Sequence, residues 1–331
     1  MDRRRFVAAL GGALAAPFAR AQAPAGQFRI GVLLVGGEAC MKRYLQPLLD
    51  GLRERGYVVG RNLTAEYRFI GKSNEMKALA DELVALKPDV LIASEVTAVF
   101  LKARTDTLPI ILLTSADPVL VGLVQSLARP GTNVTGLAAL MHPLAQNQLE
   151  LLKEAVPGMS RVALLASPFA PPKDSPYYGR PEQFELALRR TADAMKLTLG
   201  VHRAGNGEEL LAAFTAMAAQ RTEGLVVSNE SIIFRIPELS AEVQRSRIPA
   251  ISGFTSFADG YGGLMSYGSD WRETNRYAAR FVDLILKGAR PADIPVEQPT
   301  RIEFAINLKL AKVLNLKIPQ SLLARADRVI E

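Results

Sequence analysis

Short apolar runs alternate with amphipathic segments through this chain in two matching cycles, and that pattern restricts it to an architecture of parallel sheets covered by helices. The first cycle has its apolar runs at Phe28–Leu34, Leu63–Ile70, Asp89–Ser94, Pro109–Thr114 and Val134–Ala138. Each is short and nearly continuous, as expected of a strand buried on both faces. Between them, Ser73–Leu86 opens on a Ser-Asn cap, sets Leu79, Leu83 and Leu86 on one face and stops at Lys87-Pro88, the start and stop signals of a helix. After a helix over Leu144–Val156 and a turn at Pro157-Gly158, the second cycle has runs at Arg161–Ser167, Thr198–Ala204, Gly224–Asn229, Ile248–Gly253 and Gly263–Gly268. The first three strand starts are separated by 35 and 26 residues in one cycle and by 37 and 26 in the other. The expectation is an α/β fold of two Rossmann-like lobes in series. A chain of 331 residues is also longer than a single core usually serves.

The tail adds connectivity. A helix over Asp270–Lys287 is followed by an extended stretch carrying Pro291, Pro295 and Pro299, a strand over Arg301–Ile306, a helix over Leu308–Leu314 and a last helix after Pro319. This much structure must dock, so the chain is expected to return to the first lobe and cross back. Residues 28–140 plus about 269–298 would form lobe one, and 141–268 plus about 299–331 lobe two. Crossings would fall near Leu137–Leu144, Ser266–Asp270 and Gln298–Arg301, giving a multi-strand hinge.

The N-terminus reads as an export signal. Arg3, Arg4 and Arg5 precede Phe6 and an Ala-, Leu- and Gly-rich run to about Phe18, too short to span a membrane. Ala19-Arg20-Ala21 fits a cleavage site, and Arg-Arg-x-Phe-Val resembles a twin-arginine signal, with a Sec signal as the alternative. The expectation is a mature periplasmic protein starting after residue 21, with no stable membrane insertion. The signal carries +3 of the formal charge of +7. The remaining cations are dispersed among acids without a basic run, which argues against a nucleic-acid partner.

Several chemical readings drop out. Gly71-Lys72-Ser73 opens a helix after a strand, but a phosphate loop needs glycine where Glu66 stands. Ser266 lacks the Gly-x-Ser-x-Gly spacing of a nucleophile elbow. His142 and His202 do not have zinc spacing, and Cys40, the single cysteine, has no second thiol with which to run racemase-type acid–base chemistry. Neither a catalytic residue, a metal site nor a cofactor is expected.

Asp117-Pro118-Val119, Gly122-Leu123-Val124, Ser126 to Gly131 and Asn133-Val134-Thr135-Gly136-Leu137 form one extended signature. With Gly262 to Gly268, Leu284 to Gly288, Val296 to Thr300 and Ile306 to Lys309, the ordered set resembles the substrate-binding proteins of ABC importers, the family that includes tryptophan- and tyrosine-binding members. The resemblance implies a type I periplasmic-binding-protein fold, a periplasmic location, capture of a small molecule by hinge closure, and a permease with its ATPase as partners of a monomeric binding protein. A ligand-sensing module for a membrane receptor is the alternative, and an enzyme on the same scaffold a more distant one. The chain departs from the family at Ser94-Glu95-Val96-Thr97, where a Gly-Gly-Thr-Pro-like loop is common, and at Ser167-Pro168-Phe169, which replaces an Asn-Pro-like turn. The substrate of relatives is therefore not carried over.

In open parallel sheets, ligands sit beyond the carboxyl ends of strands. The candidate ligand-binding residues are thus Gly36, Ser94, Glu95, Thr97, Ala116 and Asp117 in lobe one. In lobe two they are Phe169, Tyr177, Asn229, Glu230, Phe254 and the hinge residue Tyr267. Carboxylates with aromatic covers suit a small zwitterion or amine better than a bare anion, and an amino-acid-like or aromatic ligand is the expectation. Asp117 ahead of Pro118 also reads as a helix cap.

Overall fold

The computed structural model describes residues 27–35, 45–71, 73–114, 117–138, 141–168, 183–228, 233–298 and 301–331. The expected signal, Cys40, and the candidates Gly36, Ala116, Phe169, Tyr177, Asn229 and Glu230 lie outside the described residues, as does the side chain of Glu95.

The first sheet is built from β1 (Phe28–Val35), α1 (Gln46–Glu54), β2 (Leu63–Ile70), α2 (Met76–Ala85), β3 (Val90–Ser94), α3 (Glu95–Lys102), β4 (Ile110–Thr114) and β5 (Val134–Gly136). Its strand order is β2-β1-β3-β4-β5 and every pairing is parallel. The chain then passes into α4 (Met141–Ala155), β6 (Arg161–Ala166), α5 (Gln183–Ala194), β7 (Thr198–Arg203), α6 (Gly207–Ala219), β8 (Gly224–Val227), α7 (Leu239–Ser246), β9 (Ala250–Ser252), α8 (Phe257–Gly260) and β10 (Met265–Ser269). It continues through α9 (Trp271–Leu286), β11 (Ile302–Asn307), α10 (Leu308–Val313), α11 (Gln320–Arg325) and β12 (Arg328–Ile330). The second sheet runs β12-β11-β10-β9-β8-β6-β7, parallel except where β10 meets β11. The two parallel-sheet lobes of the sequence reading are present. The short β12, which seats on β11 with Ala305 opposite Arg328, was not anticipated: three residues are too few to show a period.

Each sheet lies between two helical layers, so four clusters share the core. One face of sheet one packs Val32, Leu34 and Ile92 against Leu48 and Leu52 of α1. Ala278, Phe281 and Val282 of α9 join this cluster although they follow all of β6–β10 in sequence. The other face packs on Met76, Leu83 and Leu101. Sheet two is covered by α4, α5, α10 and α11 on one side and by α6, α7 and α8 on the other.

The return of α9 to sheet one follows from its stripe. Buried Asn275, Ala278, Ala279, Val282 and Ile285 recur at helical spacing, so one face must be covered. Asp270 caps the helix, accepting from the amides of Arg272 and Glu273. Gly51 of α1 allows the two helices to touch, because a Cβ there would lie 2.4 Å from the Arg276 carbonyl oxygen. Tyr57 donates to Asp283 at 2.9 Å. Burial, and secondarily this bond, push the Tyr57 phenol above its ordinary pKa.

Between the sheets the chain crosses after β5, after β10 and before β11. The third crossing is tied to the first on the sheet-one side, where Glu297 N donates to Gly136 O and Ala138 N to Glu297 O, both at 2.9 Å. On the sheet-two side it is tied to the second, with Ser269 opposite Ile302. The Glu297 carboxylate accepts from Tyr277 at 2.6 Å and pairs with Arg280. Its bond to Tyr277 is the main reason that phenol titrates above its usual range.

Candidate functional site

The topology puts the loop-bearing edge of each sheet at the crossings. In sheet one, β5 leaves for the second lobe from its carboxyl end, the same edge that carries the loops after β1, β3 and β4. In sheet two, β10 leaves for the first lobe from its carboxyl end, beside the loops after β6, β8 and β9. Both sets of loops therefore border the crossings, the position at which open sheets bind ligands.

On the sheet-one edge, Ser94 pairs with Thr114 at the end of β4, and Asp117 follows three residues later in sequence. Ser94 is half-buried, takes an extended backbone and caps α3. Its amide donates to Thr97 Oγ1 at 3.0 Å. Glu95 is the first residue of α3. Thr97, by contrast, is fully buried. Its hydroxyl lies 2.7 Å from the carbonyl of Leu33 in β1 and 3.1 Å from Ser94 Oγ. That hydroxyl has one proton to donate, and it is committed inside the lobe. Thr97 thus shapes the loop and does not belong on its ligand-facing surface. Thr97→Val is expected to cost about 1–3 kcal/mol of stability by orphaning its partners, while ligand affinity at fixed folded concentration stays unchanged. Urea unfolding beside a binding isotherm would show a different division if Thr97 touched the ligand.

Asp117 caps a turn and not the helix that the sequence suggests, since residues 118–122 form turns. Its Oδ1 accepts from the amides of Val119 at 3.1 Å and Leu120 at 2.9 Å. Asn keeps this acceptor and Ala removes it, so Asp117→Ala should cost about 1 kcal/mol and Asp117→Asn far less, read by thermal melting without ligand.

On the sheet-two edge, Phe254 is buried against Phe234 with ring centroids 4.7 Å apart, and Tyr261 closes the cluster edge-on at 5.8 Å from Phe254. It supports the loop after β9 more than it covers a ligand. Tyr267 remains half-buried on β10, where its hydroxyl accepts from Asn147 Nδ2 at 3.0 Å and its carbonyl from Gln148 Nε2 at 3.0 Å.

Other residues that shape this edge had no motif to betray them. Ser266 Oγ donates to the Thr255 carbonyl at 3.0 Å, and Arg328 reaches the same carbonyl at 3.2 Å while pairing with Asp259 and Glu303. The C-terminal strand therefore holds the loop that follows β9. Two side-chain amides are buried with unsatisfied atoms among the described residues: Gln148 at Oε1, and Asn275 at both Nδ2 and Oδ1. A polar residue on the apolar stripe of α9 was a readable signal for Asn275.

Among the described residues no group of three His, Cys, Asp or Glu could hold a metal ion, and no helix is long and apolar enough to cross a membrane.

This architecture has well-defined relatives. A conserved domain protein from Vibrio cholerae superposes with a TM-score of 0.79 at 25% identity, covering 92% of this chain and 99% of that one. An ABC domain from Streptococcus pneumonia, solved in complex with L-Trp, superposes with a TM-score of 0.78 at 26% identity, covering 92% of this chain and 100% of the other. A tyrosine-binding protein from Clostridioides difficile (strain R20291) is 24% identical over 298 residues, which is 88% of this chain and 82% of that protein. The family profile of ABC transporter substrate binding proteins matches residues 29–330. With that match spanning both sheets and all three crossings, the chain belongs to the ABC transporter substrate binding protein family.

Proposed function

We propose that this protein is the solute-binding component of an ABC importer, exported to the periplasm, which captures a small amino-acid-like or aromatic solute between its lobes and presents it to a permease and its ATPase. The observation that carries the reading is the trio of crossings, the third paired with the first at one end and with the second at the other, beside the loop-bearing edges of both sheets. A hinge so built has few bending modes, so a ligand that touches both edges selects the closed form by contacts the open form does not offer. The lobes are taken to divide as 28–140 plus 269–298 and 141–268 plus 299–331. The relatives that bind tyrosine or hold L-Trp make aromatic amino acids the first solutes to try.

The test is thermal melting of the mature protein with L-tryptophan, L-tyrosine and the other standard L-amino acids, followed by small-angle scattering with the best of them. A ligand at about 100 times its Kd should stabilise by roughly 2.7 kcal/mol, a rise of several degrees, with a smaller radius of gyration. A solute that binds without compacting the protein would remove hinge closure from the mechanism. Export is checked separately: Arg3→Lys with Arg4→Lys should leave precursor in the cytosol if the twin-arginine route is used, and the mature N-terminus should fall after Ala21.

A further inference from the structure

The cations of this chain are scattered in sequence, but the fold gathers several of them on one edge of sheet two. β6, β7, β8 and β9 run parallel, so the helix-to-strand turns that feed them lie on the edge away from the three crossings. α5 leads into β7 through Lys196, α6 into β8 through Arg221 and α7 into β9 through Arg247. All three side chains are exposed, and all three backbones are left-handed, with φ of 57°, 53° and 54°. The first two turns close with Leu197 N donating to Ala192 O at 2.8 Å and Thr222 N to Met217 O at 3.0 Å. Helices that end in this way usually place glycine at the left-handed position, because an L side chain is strained there. Around sheet one that position is filled by Gly56 after α1, Gly288 after α9 and Lys87 after α2. The helix dipole does favour a cation near a C-terminus, yet any position of the last turn serves that purpose without strain. The last turns of α5 and α6 nevertheless carry no basic residue.

The row continues on α10, which starts where β11 ends, beside the start of β10. Lys309 and Lys312 are exposed and one helical turn apart. Arg247 donates to the Val313 carbonyl at 2.5 Å, and the Val313 side chain is 58% exposed. Lys196, Arg221, Lys309 and Lys312 form no ion pair among the described residues. Of the acids on this edge, Glu223 is taken up by the amides of Ser160 and Arg161 and by the Arg161 guanidinium. Asp193 and the terminal Glu331 are what remains to offset the cations. The strand order β9-β8-β6-β7, at about 4.8 Å per strand, sets the three turns within about 15 Å of one another. That is under two Debye lengths of about 8 Å at physiological ionic strength, so their fields add.

We propose that this rim is a docking surface for an anionic phospholipid bilayer, to which the protein adsorbs without inserting. The charges form a row and do not converge on a point, so they suit many headgroups better than a single phosphate or carboxylate. Each basic side chain near an anionic leaflet adds attraction without needing a fixed geometry. Val313 supplies one apolar contact at the end of the row. No aromatic residue occurs in these turns or in α10, as stacking on nucleic-acid bases would require. Adsorption and solute capture would use opposite edges of sheet two, so each can be tested without the other.

The test is co-sedimentation of the mature protein with two kinds of vesicle, phosphatidylcholine alone and phosphatidylcholine with phosphatidylglycerol in equal parts. The rim variant combines Lys196→Gly, Arg221→Gly and Lys312→Gln. Glycine suits the two left-handed positions, so this variant should melt no lower than wild type. A comparison variant with Arg61→Gln, Lys77→Gln and Arg290→Gln removes the same charge from exposed positions around sheet one. Wild type and the comparison variant should bind the anionic vesicles, ignore the neutral ones and be released by added salt. The rim variant should bind roughly tenfold more weakly or worse, with its solute-induced melting shift unchanged. Lys309→Gln with Lys312→Gln leaves every turn intact and should weaken binding in the same sense, which keeps the test open if the glycine variant unfolds. Equal weakening in the rim and comparison variants would reduce the effect to net charge and overturn the assignment. Binding that ignores lipid charge or salt would overturn it too, as would loss of the solute response in the rim variant. A wild type that passes over the anionic vesicles but is retained by polyglutamate would replace the bilayer with an acidic protein.

Discussion

Replacing Phe281 by alanine should destabilise lobe one by about 3–5 kcal/mol, the usual cost of emptying a fully buried aromatic site. Phe281 has no exposed surface and lies in the cluster that joins α1, α9 and the β1–β3 face of sheet one. The loss should be local in space but not in sequence. Amide exchange monitored by mass spectrometry is expected to rise in β1, β3 and α1, more than 170 residues upstream, while β6 and β8, which are nearer in sequence, keep their protection. Equal loosening of both sheets would show that α9 does not belong to lobe one and would undo the proposed division of the chain.

Gly268→Ala should damage sheet two in turn. A Cβ at that position would lie 1.9 Å from the carbonyl oxygen of Gly253, well inside any allowed contact. The obstacle is backbone, not a side chain that can turn away. The strand pair β9–β10 must therefore part, and overpacking of this kind costs about 1–3 kcal/mol or more. The loop after β9 is the element that would move. Its Thr255 carbonyl is held from below by Ser266 and from the side by Arg328, so displacement should reach the ligand edge. The expected outcome is a lower melting temperature together with weaker binding of whichever solute the wild type retains. Melting within a degree of wild type would mean that the two glycines are not held in contact in solution. Gly136 makes the comparison: it has a φ of +128°, and a Cβ there would meet backbone of Leu112 at 2.4 Å. Its substitution should disturb the first crossing in the same way.

Much of the fold was legible because it is written in local periodicity. The apolar runs from Phe28 to Gly268 predict ten strands, and those strands appear with ends within two residues of the expected ones. The helix over Asp270–Lys287 is found at Trp271–Leu286 with Asp270 as its cap. Buried parallel strands and amphipathic helices obey short-range rules, so a window of a dozen residues contains most of the information needed. The family signature was legible for the same reason: it is an ordered series of short segments.

The candidate site was legible only as a list of positions. Thr97 and Ser94 follow the same strand and looked equivalent, yet one hydroxyl is committed to Leu33, 64 residues away, while Ser94 stays half-buried at the rim. Asp117 could be read as a cap from the proline that follows it. Phe254 could not be read as a buried member of an aromatic cluster, because Phe234 and Tyr261 reach it only after α7 and α8 have packed. Asn275 is a polar break in an apolar stripe, but that its amide finds no partner among the described residues could not be known before the helix docked on sheet one. By itself the sequence determined the kinds of elements, their order, the two-lobed class and the family. The tertiary structure alone decided how the three crossings pair and which polar groups remain unsatisfied. Those properties depend on contacts between residues far apart in sequence, such as Gly136 with Glu297 and Ser269 with Ile302, and a hydrogen bond or its absence is a property of a pair of groups that no single short stretch of chain contains.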